Sequence, residues 1–146
     1  MFAGLGKQKG TRGMSNTDNN ALDAIIAKLR DLLTWPDGWN SYDALAPDPD
    51  AVSRAEQWIT EFYQRIIDTQ QQWITPNITA TANGDVILSW RRGQRDLEVY
   101  IEKQDMFYII IEGKGTDAKI TDGDINTIED MQQLWQWLLE ITQDEE

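Results

Sequence analysis

The sequence predicts an α+β fold in which helices pack on one face of an antiparallel sheet. Apolar residues recur every three or four positions before residue 70 and after residue 127, which is typical of amphipathic helices. Between residues 78 and 111 the apolar period becomes two, and Asn83-Gly84 is a strong hairpin signal. The predicted order is therefore two N-terminal helices, a four-stranded antiparallel β-meander and a C-terminal helix packed on one sheet face.

The two N-terminal helices follow from apolar stripes with clear ends. The first stripe runs from Leu22 to Leu33, and Pro36 stops it because proline disfavours helical geometry in the preceding residue. The second begins where Asp48 can cap a helix and Pro49 can occupy its first turn, and it is predicted to run to Gln70.

Residues 35–47, which we call the clasp, connect these helices. Large rings and a Pro-Asp-Gly turn signal indicate an ordered connection. Two interpretations stay open. Trp35, Trp39 and Tyr42 could plug the gap between helices and sheet, with Trp39 and Tyr42 locking both helices onto the sheet, or they could form a partly exposed patch that binds a partner.

The strands of the meander are predicted at residues 78–81, 86–90, 97–102 and 106–111. The third alternates apolar and polar residues, which indicates one buried and one solvated face. The fourth is apolar on both faces, so we expect it to be central or covered. A short fifth strand is an option around residues 118–120.

The last helix opens at Thr127 with a near-capping-box arrangement and carries an apolar stripe from Met131 to Ile141. The predicted buried faces hold three tryptophans, namely Trp58, Trp90 and Trp135. Trp73 and Trp137 are expected to be the most exposed, so both are candidate partner-binding residues.

The 146 residues suit one domain, which we predict to span residues 18–142. Residues 1–17 are expected to form a disordered basic tail, and Met14 is a candidate natural start. Residues 143–146 are acidic and are expected to fray, because negative charge opposes the dipole at a helix C-terminus.

The composition excludes much chemistry. The chain has no cysteine and no histidine, so it lacks thiolates, disulfides and the commonest general base and metal ligand. We expect no catalytic residue, no cofactor and no metal. No apolar run is long enough for a membrane span and no signal peptide is evident, which predicts a cytoplasmic protein without membrane contact.

Two carboxylate pairs, Asp37 with Asp43 and Asp122 with Asp124, are the weak candidates for acid–base hydrolysis. Chance neighbours are unavoidable among 25 acidic residues. An EF-hand register through Gly123 would place Ala118 and Ile120 at ligand positions, which excludes it. Residues 122–123 are instead interpreted as a turn.

The charge is uneven. All 25 acidic residues lie from residue 18 onward, together with only 10 of the 13 basic ones. Such a body repels nucleic acid and suits another protein with a basic surface. Direct nucleic-acid binding is expected only through Arg91, Arg92 and Arg95, which otherwise form a charged hairpin tip that protects the sheet edge.

Three segments resemble small uncharacterised bacterial and cyanobacterial proteins, in which a WDGYGAxP-like stretch precedes a DGGIxLxW-like hairpin and a LxIxI-like strand. The segments are WNSYDALAP at residues 39–47, NGDVILSW at residues 83–90 and LEVYI at residues 97–101. Asn40, Ser41 and Asp43 depart from that pattern. The resemblance implies a similar domain shape and carries no activity with it.

These features favour a non-enzymatic protein-binding domain, an accessory, immunity-like or regulatory subunit of a bacterial assembly. The alternative is an acidic inhibitor that mimics nucleic acid, or an accessory subunit, in a nuclease or CRISPR-type defence complex. A third hypothesis is a carboxylate-based hydrolase, which would lose activity when Asp37 or Asp43 is changed to Asn. The candidate partner-binding residues are Trp39, Tyr42, Trp73, Arg91, Arg92, Arg95 and Trp137.

Overall fold

The computed structural model describes residues 16–140, which contain three α-helices and one five-stranded sheet. The helices are α1 (Asn16–Asp31), α2 (Pro49–Asp68) and α3 (Ile128–Leu139). The strands are β1 (Asn77–Ala80), β2 (Val86–Arg92), β3 (Arg95–Ile101), β4 (Met106–Glu112) and β5 (Lys119–Asp124). Short 3-10 turns lie at Leu32–Thr34 and Gly115–Asp117. The predicted frayed end at residues 143–146 and the predicted tail, except for residues 16–17 at the start of α1, lie outside the described residues.

The α+β prediction is confirmed, and the sheet is an antiparallel meander in the order β1-β2-β3-β4-β5. Its strand count differs from the expected four. The fifth strand, which we expected to be short, pairs with β4 over six residues. The predicted turn at residues 122–123 is wrong because both lie within β5.

Pairing with β4 explains why this polar segment becomes a strand. Its sequence, KITDGD, has little intrinsic strand propensity, so tertiary pairing decides the outcome. Gly123 lies opposite Tyr108, and a Cβ atom on Gly123 would lie 2.7 Å from the Tyr108 hydroxyl. The glycine therefore leaves room for the Tyr108 ring. In the sequence, the same Asp-Gly pair looks like a turn signal.

One face of the sheet, the inner face, packs against all three helices. Side chains from α1, α2 and α3 join a single buried core with alternate residues of β2 and β3. Leu29, Ile59 and Trp135 are fully buried members from the three helices. The sheet contributes Val86, Leu88, Trp90, Leu97, Val99, Ile101 and Met106.

The predicted helix starts at Asp48 and Thr127 are confirmed. The ends of the N-terminal helices differ from the prediction, because α1 stops at Asp31 before the 3-10 turn and α2 stops at Asp68 rather than Gln70. The Asp48 side chain accepts a hydrogen bond from the Asp50 amide, with Pro49 in the first turn of α2. Thr127 and Asp130 form a complete capping box at the start of α3. The Asp130 carboxylate also accepts hydrogen bonds from the amides of Asn126 and Thr127, which lower the pKa of Asp130.

Candidate protein-binding surfaces

The clasp is ordered by its own polar atoms. The Gly38 amide donates to the Ala44 carbonyl at 2.6 Å, and the Asn40 side-chain oxygen accepts from the Tyr42 amide at 2.9 Å. The Asp37 carboxylate accepts from the Ala46 amide at 2.8 Å. These bonds satisfy backbone groups that no helix or strand serves, so the loop has a defined shape.

The clasp also docks on the hairpin turn between β1 and β2. The Leu45 amide donates to the Ala82 carbonyl, and the Asp48 amide donates to the Gly84 carbonyl, each at 2.8 Å. Gly84 has a φ of 92°, and a Cβ atom there would lie 2.9 Å from the Ala46 carbonyl oxygen. Only glycine fits both this backbone conformation and this close approach.

Of the aromatic rings of the clasp, Trp35 packs against the core, whereas Tyr42 does not plug it as one of the two interpretations expected. The residues of the clasp that are buried are Ala44 and Pro47. Trp39 is half-buried, its ring centroid lies 4.8 Å from that of Trp35, and its indole N–H donates to the Leu45 carbonyl at 2.8 Å. Tyr42 is 80% exposed, so the expectation that it locks the helices onto the sheet is wrong.

Exposed apolar side chains are concentrated at the clasp. Four large hydrophobic side chains are exposed in the described part of the chain. Tyr42 and Leu45 lie in the clasp and Leu33 lies in the 3-10 turn just before it, and we call these three the clasp surface. A rigid loop that presents apolar groups to solvent can bind a partner with little ordering entropy.

Trp73 is not the exposed residue that its polar neighbours predict. Its ring stacks on Trp135, with centroids 5.5 Å apart, and meets Tyr63 edge-on at 4.8 Å. The segment after α2 folds back over α3, because the Gln72 carbonyl accepts a hydrogen bond from the Trp135 indole. Polar residues around Trp73 suggested a solvated exit, but the indole belongs to the edge of the core.

Trp137 is also half-buried rather than exposed. The Arg95 guanidinium lies 4.9 Å from its ring centroid and donates to its backbone carbonyl. The same guanidinium pairs with Glu112 at 3.2 Å. Arg95 therefore connects β3 and β4 to the end of α3.

The three arginines do not form one basic patch. Strand alternation puts Arg91 on the sheet face opposite Arg92 and Arg95. Arg91 makes a two-pronged ion pair with Asp96, at 2.8 and 3.2 Å. Arg92 donates to the Gln72 side chain at 2.9 Å. The structure thus brings together only Arg92 and Arg95, which lie opposite each other, and separates Arg91 from them.

The second apolar surface is the sheet face opposite the helices, which we call the outer face. Because all three helices contribute to the core on the inner face, no helix within residues 16–140 covers the outer one. Cross-strand pairing aligns its apolar side chains in neighbouring rows. They are Ile87, Tyr100, Phe107, Ile109, Ile111 and Ile120.

Two of these rows have well-defined contacts. Ile87, Tyr100 and Phe107 are successive cross-strand neighbours, and the two aromatic rings stack with centroids 4.8 Å apart and planes within 3°. In another row Ile111 lies opposite Ile120, which is 67% exposed. The rows create a continuous apolar strip across β2 to β5.

Carboxylates surround this strip. Within the strands, Arg91 is the single basic residue on the outer face, and Asp96 already binds it. The Tyr100 hydroxyl donates to Glu98 at 2.9 Å; partial burial, followed by this hydrogen bond, raises the pKa of Tyr100. The carboxylates on this face are Asp96, Glu98, Asp122 and Asp124.

The apolar run of β4 is the sequence feature that indicates the outer face, although the sequence alone favours a buried strand. The apolar run of β4 was expected to be central or covered, and β4 does pair with strands on both sides. Strand pairing satisfies only its backbone, however, and the three helices all lie on the inner face. One apolar face of β4 was therefore left without a layer in the described part of the chain.

The carboxylates suggested as acid–base pairs lie in the clasp and on β5. Asp37 is used as a backbone acceptor, and Asp122 and Asp124 follow each other on the outer face of β5. Residues 16–140 contain no group of three or more His, Cys, Asp or Glu side chains that could hold a metal ion. In the same part of the chain, no helix is both long and apolar enough to span a membrane.

Comparisons with protein-family models, curated proteins and solved structures give no match to this chain. Its function must therefore be inferred from the geometry of its surfaces.

Proposed function

We propose that this protein is a non-enzymatic binding domain that docks another protein on the outer face of its sheet. The observation that supports this most directly is the apolar strip on a sheet face without a covering helix in the described residues. Contiguous apolar patches with a polar rim are typical of protein–protein interaction sites. A cytoplasmic accessory, immunity-like or regulatory subunit of a bacterial assembly is the proposed setting.

The side chains of the strip are suitable binding anchors. Stacked aromatic side chains lose little conformational entropy on binding and bury large areas, as Tyr100 and Phe107 would. Complete burial of an exposed Ile or Phe side chain stabilises an interface by roughly 1.5–3 kcal/mol. Apart from Ile120, the strip residues are already half-buried, so each of them contributes less than this, and the contributions of several are needed to offset the loss of translational and rotational freedom on association.

The charge around the strip defines the partner. Glu98 and Asp122 lie on either side of Ile109 in the cross-strand register. A partner with an apolar centre and a rim of Lys or Arg would neutralise these carboxylates, whereas an acidic partner would be repelled. The net negative charge of the chain adds long-range attraction for a basic surface and accelerates association.

The test is affinity capture of partners from the native host, with mass spectrometry, using the full-length chain and two matched variants. Ile109→Lys places a charge in the strip, and Gln57→Lys makes the same charge change on the exposed face of α2. We expect the first variant to lose a reproducible partner and the second to keep it. Circular dichroism and urea unfolding of both variants control for folding.

The same experiment includes the clasp surface as a second candidate site. Tyr42 is the most exposed of the large hydrophobic side chains, so Tyr42→Lys should not disturb the fold. If Tyr42→Lys loses the partner and Ile109→Lys keeps it, the binding site is the clasp surface rather than the outer face. Failure of the wild-type chain to retain any specific protein would contradict the proposed function.

A second candidate function is an acidic inhibitor that mimics nucleic acid and occupies the basic channel of a nuclease or CRISPR-type effector. The excess of 25 acidic over 13 basic residues favours it, as do the four carboxylates of the outer face. Its affinity should fall steeply with salt because counterions compete for the channel. Binding that depends on Ile109 and changes little between 50 and 300 mM salt would exclude it.

A further inference from the structure

Among residues 16–140 the sheet ends at β5, and no strand of that part of the chain pairs with its free edge. Its six residues are exposed, apart from Gly123, which is half-buried under Tyr108. The opposite edge, β1, has only four residues and follows the buried Pro76. An exposed edge strand presents unpaired N–H and C=O groups that can template another strand.

The register identifies the backbone groups that face outward. The Ile125 amide donates to the Met106 carbonyl at 3.0 Å, so residues 125 and 106 form a hydrogen-bonded pair. Such pairs alternate along an antiparallel ladder, so residues 123, 121 and 119 also bond inward to β4. The N–H and C=O groups of Ile120, Asp122 and Asp124 therefore point away from β4.

These outward groups are available for pairing. Within residues 16–140 no hydrogen bond reaches the amides of Ile120, Asp122 and Asp124. The three residues also carry their side chains on the outer face, beside the apolar strip. A strand added here would continue both the hydrogen-bonded ladder and the outer face.

A second copy of the chain does not fit this edge well. In a two-fold antiparallel pairing, opposite residues lie on the same sheet face, which brings the Asp122 and Asp124 carboxylates of one copy beside those of the other. Like charges opposite each other destabilise strand pairing. The net charge of -12 on each chain adds to this repulsion.

We propose that the edge of β5 binds an extended basic segment of the partner protein by strand addition. In antiparallel register the segment carries Lys or Arg opposite Asp124 and Asp122 and an apolar residue opposite Ile120. Backbone hydrogen bonds to the three open residues supply register, and the charges select the sequence. This inference rests on the proposed function, since the added strand enlarges the same docking face.

A direct test uses a synthetic peptide as the probe, acetyl-Ser-Lys-Thr-Lys-Thr-Val-Ser-amide, with the full-length chain. Its two lysines align with Asp124 and Asp122, and its valine aligns with Ile120. We expect amide exchange measured by NMR to slow at Ile120, Asp122 and Asp124 on titration. The control peptide replaces both lysines by glutamate and should bind at least tenfold more weakly.

Protein variants separate strand addition from general charge attraction. The double variant Asp122→Asn with Asp124→Asn keeps the backbone groups of β5. Its affinity for the lysine peptide should be at least threefold lower than that of the wild-type chain. A peptide methylated at the amides that face β5 keeps its charge and should lose the exchange protection completely. Equal binding of methylated and unmethylated peptides would overturn strand addition, as would unchanged amide exchange at millimolar peptide.

The proposed function and the strand addition can fail independently. A captured partner that depends on Ile109, but leaves the β5 amides unprotected in the complex, would overturn only the strand addition. Peptide protection of β5 without any captured protein would overturn the docking function and leave the edge site standing.

Discussion

The clasp and the outer face differ in how apolar side chains reach the surface. In the clasp, a loop with unusual sequence is fixed by hydrogen bonds that the Asp37 and Asn40 side chains accept and the Gly38 amide donates, and the Tyr42 side chain points to solvent. On the outer face, ordinary strand alternation brings Ile109 and its neighbours to solvent. The comparison teaches that an unusual sequence can indicate a loop with special backbone requirements, while a plain apolar strand can leave a row of half-exposed side chains without a covering layer in the described part of the chain.

The largest expected effect tests whether the clasp is a rigid frame. In Gly84→Ala the positive φ of residue 84 becomes strained and the new Cβ atom clashes with the Ala46 carbonyl oxygen. We therefore expect a loss of about 4 kcal/mol in the free energy of unfolding. Gly115→Ala is the matched control, because Gly115 also has a positive φ but has open space around its Cβ position. It should lose about 1 kcal/mol by urea unfolding. Equal losses for the two variants would show that the clasp backbone shifts to accommodate the added Cβ atom, and so is not rigid.

The next effect tests the difference between the two sheet faces. Ile101→Thr puts a hydroxyl into the fully buried core and should lose about 3 kcal/mol in urea unfolding. Ile109→Thr makes the same change on the outer face and should lose less than about 1 kcal/mol. A loss at residue 109 that approaches the loss at residue 101 would mean that the outer face is covered in the intact protein.

A smaller effect divides the clasp itself. Trp39→Ala removes a half-buried ring that contacts Trp35 and donates to the Leu45 carbonyl, so we expect a loss of about 2 kcal/mol. Tyr42→Ala removes an exposed ring and should change the free energy of unfolding by less than about 0.5 kcal/mol. Chemical denaturation of both variants measures the difference. A larger loss for Tyr42 would restore its role as a structural lock.

The smallest effect is a pH dependence of the outer face. The raised pKa of Tyr100 means that the folded chain holds this proton more tightly than the unfolded chain does. Its contribution to stability is therefore fully present below the ordinary tyrosine pKa of about 10 and is lost as pH rises through the folded value. Tyr100→Phe should show a shallower loss of stability between pH 9 and 11 in urea titrations. Parallel profiles for wild type and variant would contradict this account.

Much of the fold could be predicted because its signals are local. Pro36 and Asp48 mark helix ends, and Asn83-Gly84 marks a hairpin, in each case through backbone geometry that neighbouring residues determine. The strand β5 could not be predicted at its full length because pairing with β4, rather than its own propensity, makes it a strand.

The candidate site was less predictable because exposure depends on which elements pack together. Trp73 has polar neighbours in sequence but aromatic neighbours in space, namely Tyr63 and Trp135. Arg91 and Arg92 are adjacent in the chain yet occupy opposite sheet faces. The outer face became recognisable only once all three helices were placed on the other side.

Asp48 has a consequence for the dynamics of the chain. Its side chain caps the first turn of α2, while its amide donates to the Gly84 carbonyl in the hairpin turn. Opening the hairpin turn therefore releases the residue that closes the start of the helix. We expect the amide hydrogens of Leu45, Asp48 and Asp50 to exchange as one cooperative unit, which couples a loop, a helix start and a strand pair in a single opening event.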